Sequence, residues 1–84
     1  MRLDKYLKVS RLIKRRTVAN DACDTERITV NGKVAKASYN VKLGDLITVV
    51  FGAKSLTVRV LDIKDTTKKT ECAGMYEVVS ETNE

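Results

Sequence analysis

No histidine and no proline occur in the chain, cysteine appears twice, glycine four times, and aromatic residues make up 5% of the total. Each scarcity closes off a chemistry. Without histidine the commonest general base is missing. Zinc needs about four nitrogen, sulfur or oxygen ligands, which Cys23, Cys72 and carboxylates alone do not easily supply, so neither a metal nor a cofactor is expected. The two cysteines form no CxxC pair. They could form a single disulfide, but so few cysteines without an export signal point to a reduced compartment. Gly32, Gly44, Gly52 and Gly74 are isolated turn positions and match no phosphate-cradling loop. The shortage of aromatic rings argues against a surface that stacks single-stranded bases. No run of eighteen apolar residues is available to span a membrane, and charges interrupt the first residues too often for a signal peptide, so a cytoplasmic protein is expected. With no repeat or low-complexity linker, the 84 residues read as one small domain, 1–84, with room for a modest core and no deep cleft. Catalysis is not expected.

What is present is positive charge, unevenly placed. The formal net charge is +5, but residues 1–16 alone carry Arg2, Lys5, Lys8, Arg11, Lys14, Arg15 and Arg16 against one acid, Asp4. Residues 71–84 carry Glu71, Glu77, Glu81 and Glu84 and no base. A field concentrated at one end is the footprint of an anionic partner. The bland alternative is a solvated face of long side chains, against which stands the mutual repulsion of seven neighbouring like charges.

The pattern of apolar residues predicts an α+β fold: two N-terminal helices packed on a small, mostly antiparallel sheet. At 100° per residue Leu3, Tyr6, Leu7 and Ser10 share one side of a helix from Arg2 to about Val9, with Lys5 and Lys8 opposite. A second helix is predicted from Arg15 to Asp24, burying Val18, Ala19, Ala22 and Cys23 and exposing Thr17, Asn20, Asp21 and Asp24. Arg15 and Arg16 fall at its N-terminus, where unpartnered backbone N–H groups would favour a phosphate. The period then changes to two. Ile28-Thr29-Val30, an Asn31-Gly32 hairpin turn and Lys33-Val34-Ala35 come first, then a turn at Leu43-Gly44-Asp45, a strand Leu46 to Phe51, a turn at residues 52–55 and a strand Leu56 to Ile63. Asp65 to Thr70 reads as a polar loop, Met75 to Val79 as a last strand, and residues 80–84 as a frayed tail. Tyr6 and Tyr39 could stack on bases, although Tyr6 lies on the apolar side of its helix, where core packing is the simpler role. Cys23 reads as a core residue, while Cys72, just before the last strand, could be exposed. Phosphate contacts by arginine and lysine to folded RNA fit the composition better than base stacking.

The segments Arg2-Leu3-Asp4-Lys5-Tyr6-Leu7, Lys14-Arg15-Arg16-Thr17 and Arg27 to Val34 resemble the RNA-binding domain family named after ribosomal protein S-four, whose two helices and following hairpin form the RNA-facing surface. Lys36-Ala37-Ser38, Val41 to Asp45 and Lys64 to Lys69 are similar to the short RqcP branch of that family, which is related to heat-shock protein fifteen. The chain lacks the longer basic extension of the latter and ends acidic. The resemblance implies a non-catalytic ribosome quality-control factor, rRNA-binding and tRNA-binding. It implies a large ribosomal subunit still holding P-site peptidyl-tRNA, with an RqcH-like partner adding C-terminal alanine tails to the stalled chain. It implies Arg2 and Arg16 as the indispensable RNA contacts, with Lys5, Arg11, Lys14 and Arg15 supporting them; Lys8, in the same basic segment, is expected to join them, and a monomer off the ribosome with no membrane partner is expected. Two alternatives stay open: recycling of stalled subunits without tailing, and a protein-interaction module whose sheet accepts a partner strand. One departure is Glu26, where relatives often carry glycine; a left-handed helix end without glycine is costly, so this end is expected to close differently.

Overall fold

The spacing of Leu3, Tyr6, Leu7 and Ser10 does produce an amphipathic helix. A computed structural model of the protein describes residues 1–63 and 72–83. Helix α1 spans Leu3–Val9 and α2 spans Arg16–Asp24. They are followed by strands β1 (Ile28–Val30), β2 (Lys33–Val34), β3 (Leu46–Phe51), β4 (Lys54–Val60) and β5 (Tyr76–Asn83), the last entered through a 3-10 turn at Cys72–Met75. The strands form one sheet in the order β2-β1-β3-β4-β5, with every neighbouring pair antiparallel. The α+β architecture is therefore the one the periodicities predict.

The sheet has one apolar and one polar face because its side chains alternate. Ile28 and Val30, Ile47 and Val49, and Val58 and Val60 point inward in register and are buried. Against them pack Leu3, Tyr6 and Leu7 of α1, Ala19 and Cys23 of α2, and Met75. On the opposite face Thr29, Thr48 and Thr57 stand side by side, with the Thr48 and Thr57 hydroxyl oxygens 2.9 Å apart. The β1–β2 turn is made by Asn31 (φ 53°) and Gly32 (φ 83°). Two consecutive positive φ values match the twist of the flanking strands, and this is why Asn-Gly serves there.

Several boundaries differ from the sequence reading. Residues 80–83, read as a frayed tail, continue β5, with Ser80, Glu81, Thr82 and Asn83 opposite Thr57, Leu56, Ser55 and Lys54. Backbone pairing to β4 orders this stretch, and backbone pairing leaves no apolar alternation in a sequence. The register shifts between Thr57 and Val58, and this irregularity also blurs the period-two signal. Strand β4 begins at Lys54, so the turn before it is shorter than expected. The expected polar loop from Asp65 to Thr70, the Lys64 to Lys69 segment and Glu84 lie outside the described residues, as does the side chain of Cys72.

Helix α2 is rotated about its axis relative to the expected stripe. Ala19 and Cys23 are buried, but Val18 is 52% exposed and Asn20 is half-buried. Consecutive residues lie 100° apart, so turning Asn20 inward turns Val18 out. The helix ends on Thr25, with Glu26 in the left-handed region at φ 61°. The Glu26 N–H donates to the Cys23 carbonyl (3.2 Å) and the Arg27 N–H to the Ala22 carbonyl (2.9 Å). That pair of bonds is the usual glycine-type helix end, so the expectation of a different closure is corrected: glutamate adopts the glycine conformation, at a cost of roughly 1 kcal/mol.

Candidate nucleic-acid interface

Asp4 organises the site. It sits in the first turn of α1, and its side chain is 3% exposed. Its Oδ1 accepts the Lys5 backbone N–H (2.8 Å) and Arg2 Nε (3.2 Å). Its Oδ2 accepts Arg2 Nη2, Arg16 Nε and Asn20 Nδ2, each at 3.4 Å. Burial alone would raise the carboxyl's pKa. The hydrogen bonds from Asn20 and the Lys5 N–H, together with the charges of Arg16 and Arg2, outweigh it and hold the pKa below the ordinary value, so the group is ionised at neutral pH.

The chain reaches this geometry through three segments. The residues leading into α1 dock on the stretch after β2: the Leu3 N–H donates to the Tyr39 carbonyl (2.8 Å), the Asp4 N–H to the Ala37 carbonyl (3.2 Å) and the Val41 N–H to the Met1 carbonyl (2.9 Å). This fixes the backbone of Arg2. Packing of α2 against α1 brings Arg16, at the first position of its helix, across to the same carboxylate. Two guanidinium groups thus share one carboxylate, and a positive charge is left over. The Arg2 and Arg16 side chains keep 52% and 50% of their surface in solvent, so the internal acid orients them without sealing them.

The other five predicted site residues are less closely gathered. Lys5 and Lys8 lie on α1, Arg11 and Lys14 in the connection, and Arg15 at the entrance of α2; all are exposed except Lys5, which is half-buried. Among the described residues Lys8, Arg11, Lys14 and Arg15 make no ion pair. Arg11 has φ 63°, the conformation that ends α1, so a long cationic side chain occupies a position that glycine would fill at lower cost. Arg15 caps α2 in extended conformation with no side-chain hydrogen bond, and the first turn contains no acid.

Sequence reasoning missed three residues of this surface. A shallow groove starts at Arg16, Thr17 and Asn20, continues past Arg2, Asn20 and Lys36, and ends beside Asn31, Lys33 and Lys36. Lys33 and Lys36 therefore extend the basic surface, while Asp24 and Glu26 stand on its middle section. Asp4, the third, is the lone acid among seven bases, and that singularity was the available signal. At the far end Asp45, buried, accepts the Tyr39 hydroxyl (2.8 Å), the Lys42 N–H (2.9 Å) and Asn31 Nδ2 (3.1 Å), so the hairpin turn is braced from below. Burial works against its charge, but those hydrogen bonds and Lys42 lower its pKa. Tyr6 is fully buried and cannot stack on a base; its hydroxyl donates to the Met75 carbonyl (2.7 Å). Cys23 is buried, and desolvation pushes its thiol up to about 11, so it is not a nucleophile at neutral pH. Among the described residues no helix is long and apolar enough to cross a membrane.

Known proteins resemble this chain in sequence and in fold. The S4 domain matches residues 1–47. The chain is 60% identical over 82 residues to the RQC P-site tRNA stabilizing factor of Streptococcus pneumoniae, covering 98% of this chain and 93% of that protein. It is 60% identical over 81 residues to the protein of the same name from Bacillus subtilis, covering 96% and 94%. The crystallised heat shock protein 15 of Vibrio cholerae, described as trimeric, superposes with a TM-score of 0.88 at 30% identity, covering 95% of this chain and 82% of that one. With the S4 domain spanning both helices and the hairpin, and relatives matching from end to end, the chain belongs to the S4-domain family, in the branch of the RQC P-site tRNA stabilizing factors.

Proposed function

We propose that this protein is a non-catalytic ribosome quality-control factor of the cytoplasm that binds the large ribosomal subunit while it still carries an obstructing peptidyl-tRNA. Arg2 and Arg16, supported by Lys5, Lys8, Arg11, Lys14 and Arg15, contact phosphates of ribosomal RNA and of the P-site tRNA. The protein acts as a monomer off the ribosome and supports C-terminal alanine tailing by an RqcH-like factor. The observation that carries this reading is the pairing of Arg2 and Arg16 on one buried carboxylate in a chain so similar to factors named for stabilising P-site tRNA.

The physical role is positional. A rigid two-helix platform presents cations at fixed spacing to an RNA backbone, and recognition is of shape rather than base sequence. Nothing in this role requires a bond to be made or broken by the protein itself. The test is affinity capture of the tagged protein from cells with stalled translation. Large subunits bearing peptidyl-tRNA are the expected catch, released by ribonuclease, and deletion of the protein is expected to remove alanine tails from stalled chains. Tails that persist after deletion would favour recycling without tailing. A protein partner retained after ribonuclease treatment, without subunits, would reject the RNA-binding reading.

A further inference from the structure

We propose that Asp4 is a positioning residue for RNA binding: its buried carboxylate fixes Arg2 and Arg16 as a preformed pair, an inference that rests on the RNA-binding function above. Asp4 is expensive as a helix cap. A carboxylate removed from water is tolerated only when its lone pairs are filled, whereas a serine or threonine ahead of the helix would serve the same N–H groups at less cost. The Asp4 side chain is 3% exposed, and four of its five hydrogen bonds come from side chains, three of these from the two arginines. Among the described residues the other buried carboxylate is Asp45, which accepts a tyrosine hydroxyl, an amide and a backbone N–H. The charge at position 4 is thus spent on arginine.

The geometry of those bonds leaves the outward donors available. Arg16 gives Asp4 only its Nε, so both of its Nη groups are left for a ligand; Arg2 gives Nε and Nη2 and keeps Nη1. The arginines belong to segments fourteen residues apart, and the carboxylate ties them together along with Asn20. Two long side chains ordered before RNA arrives need not be ordered on binding, and that lowers the entropic cost of association. The acid also cancels part of the charge that would attract any polyanion, so it trades general attraction for geometry.

Asp4→Asn separates these effects, because it raises the formal net charge from +5 to +6 while keeping the side chain's size. With purified large subunits the variant is expected to bind about tenfold more weakly, the loss of about one bidentate contact. On a heparin column it is expected to elute at the same or higher salt than wild type. Equal or tighter binding of the variant to large subunits would overturn the proposal, whereas failure of the wild-type protein to bind them would reject the underlying function instead. A second measurement needs no variant. In the wild-type protein the Nε–H resonances of Arg2 and Arg16 are expected to shift together with a single midpoint as Asp4 is protonated. That midpoint lies below the ordinary carboxylate range, in keeping with the lowered pKa of Asp4. Independent movement of the two resonances, or none, would overturn the preformed pair.

Discussion

Replacing both Arg2 and Arg16 with alanine is expected to reduce affinity for large ribosomal subunits by at least about 100-fold. Each lost guanidinium removes a charge-assisted contact with phosphate, worth about 1.5–3 kcal/mol, and a factor of ten corresponds to about 1.4 kcal/mol. The double change also strips three of the five hydrogen bonds from the buried Asp4 carboxylate, so a lower melting temperature is expected too, and affinities are compared where both proteins are folded. Arg16→Lys refines the test. Lysine keeps the charge but not the planar fork that lets arginine serve Asp4 and a phosphate together, so an intermediate loss is expected. Full affinity in Arg16→Lys would mean that charge alone matters. Full affinity in the double alanine variant would mean that the site has been placed wrongly. Filter binding with purified subunits, beside thermal melts of each variant, measures both quantities.

The largest effect on stability is expected at Tyr6. The residue is fully buried between α1 and the sheet, and its hydroxyl donates to the Met75 carbonyl at the entrance to β5, so one side chain ties the two ends of the chain together. Desolvation, followed by the nearby charges of Tyr76 and Asp62, pushes the phenol far above its ordinary pKa, so it stays a neutral donor at every pH at which the fold is used. Truncating a buried aromatic residue costs about 3–5 kcal/mol, while a domain of this size has only about 4–12 kcal/mol of stability. Tyr6→Ala is therefore expected to lose a large share of the stability and to melt far below the wild-type protein. Tyr6→Phe keeps the ring and removes one of three donors from the Met75 carbonyl, which still accepts the Leu61 and Asp62 N–H groups, at a cost of about 0.5–1.5 kcal/mol. Urea midpoints for the two variants give the comparison. A Tyr6→Phe variant as stable as wild type would show that the hydroxyl contributes nothing to joining these segments.

Much of the scaffold was legible in the sequence because it is encoded locally. The inward side of α1, the Asn31-Gly32 turn and β3 follow from periodicity and from the tolerance of asparagine and glycine for positive φ. The basic surface was legible as charge density. What was not legible depends on how distant segments meet. Asp4 reaches Arg16 and Asn20 only when α2 lies beside α1, and the contact turns α2 enough to expose Val18, which the apolar stripe places inside. Lys36 joins the groove because the residues after β2 pass under Arg2. Strand β5 runs on through polar residues to Asn83, since pairing to β4 through backbone groups asks nothing of the side chains. At Glu26 sequence reasoning identified the unusual position but not its outcome, because the left-handed conformation goes with two backbone hydrogen bonds, from the Glu26 and Arg27 N–H groups, that ask nothing of the side chain.

Clustered N-terminal cations act here by neutralising RNA phosphates, and the salt dependence of binding measures this directly. Titration of purified large subunits with the wild-type protein over a range of monovalent salt is expected to give a log–log slope of about −5, corresponding to about six phosphates. A slope near zero would contradict the account, because an interface held by strand addition or apolar contact releases no counterions.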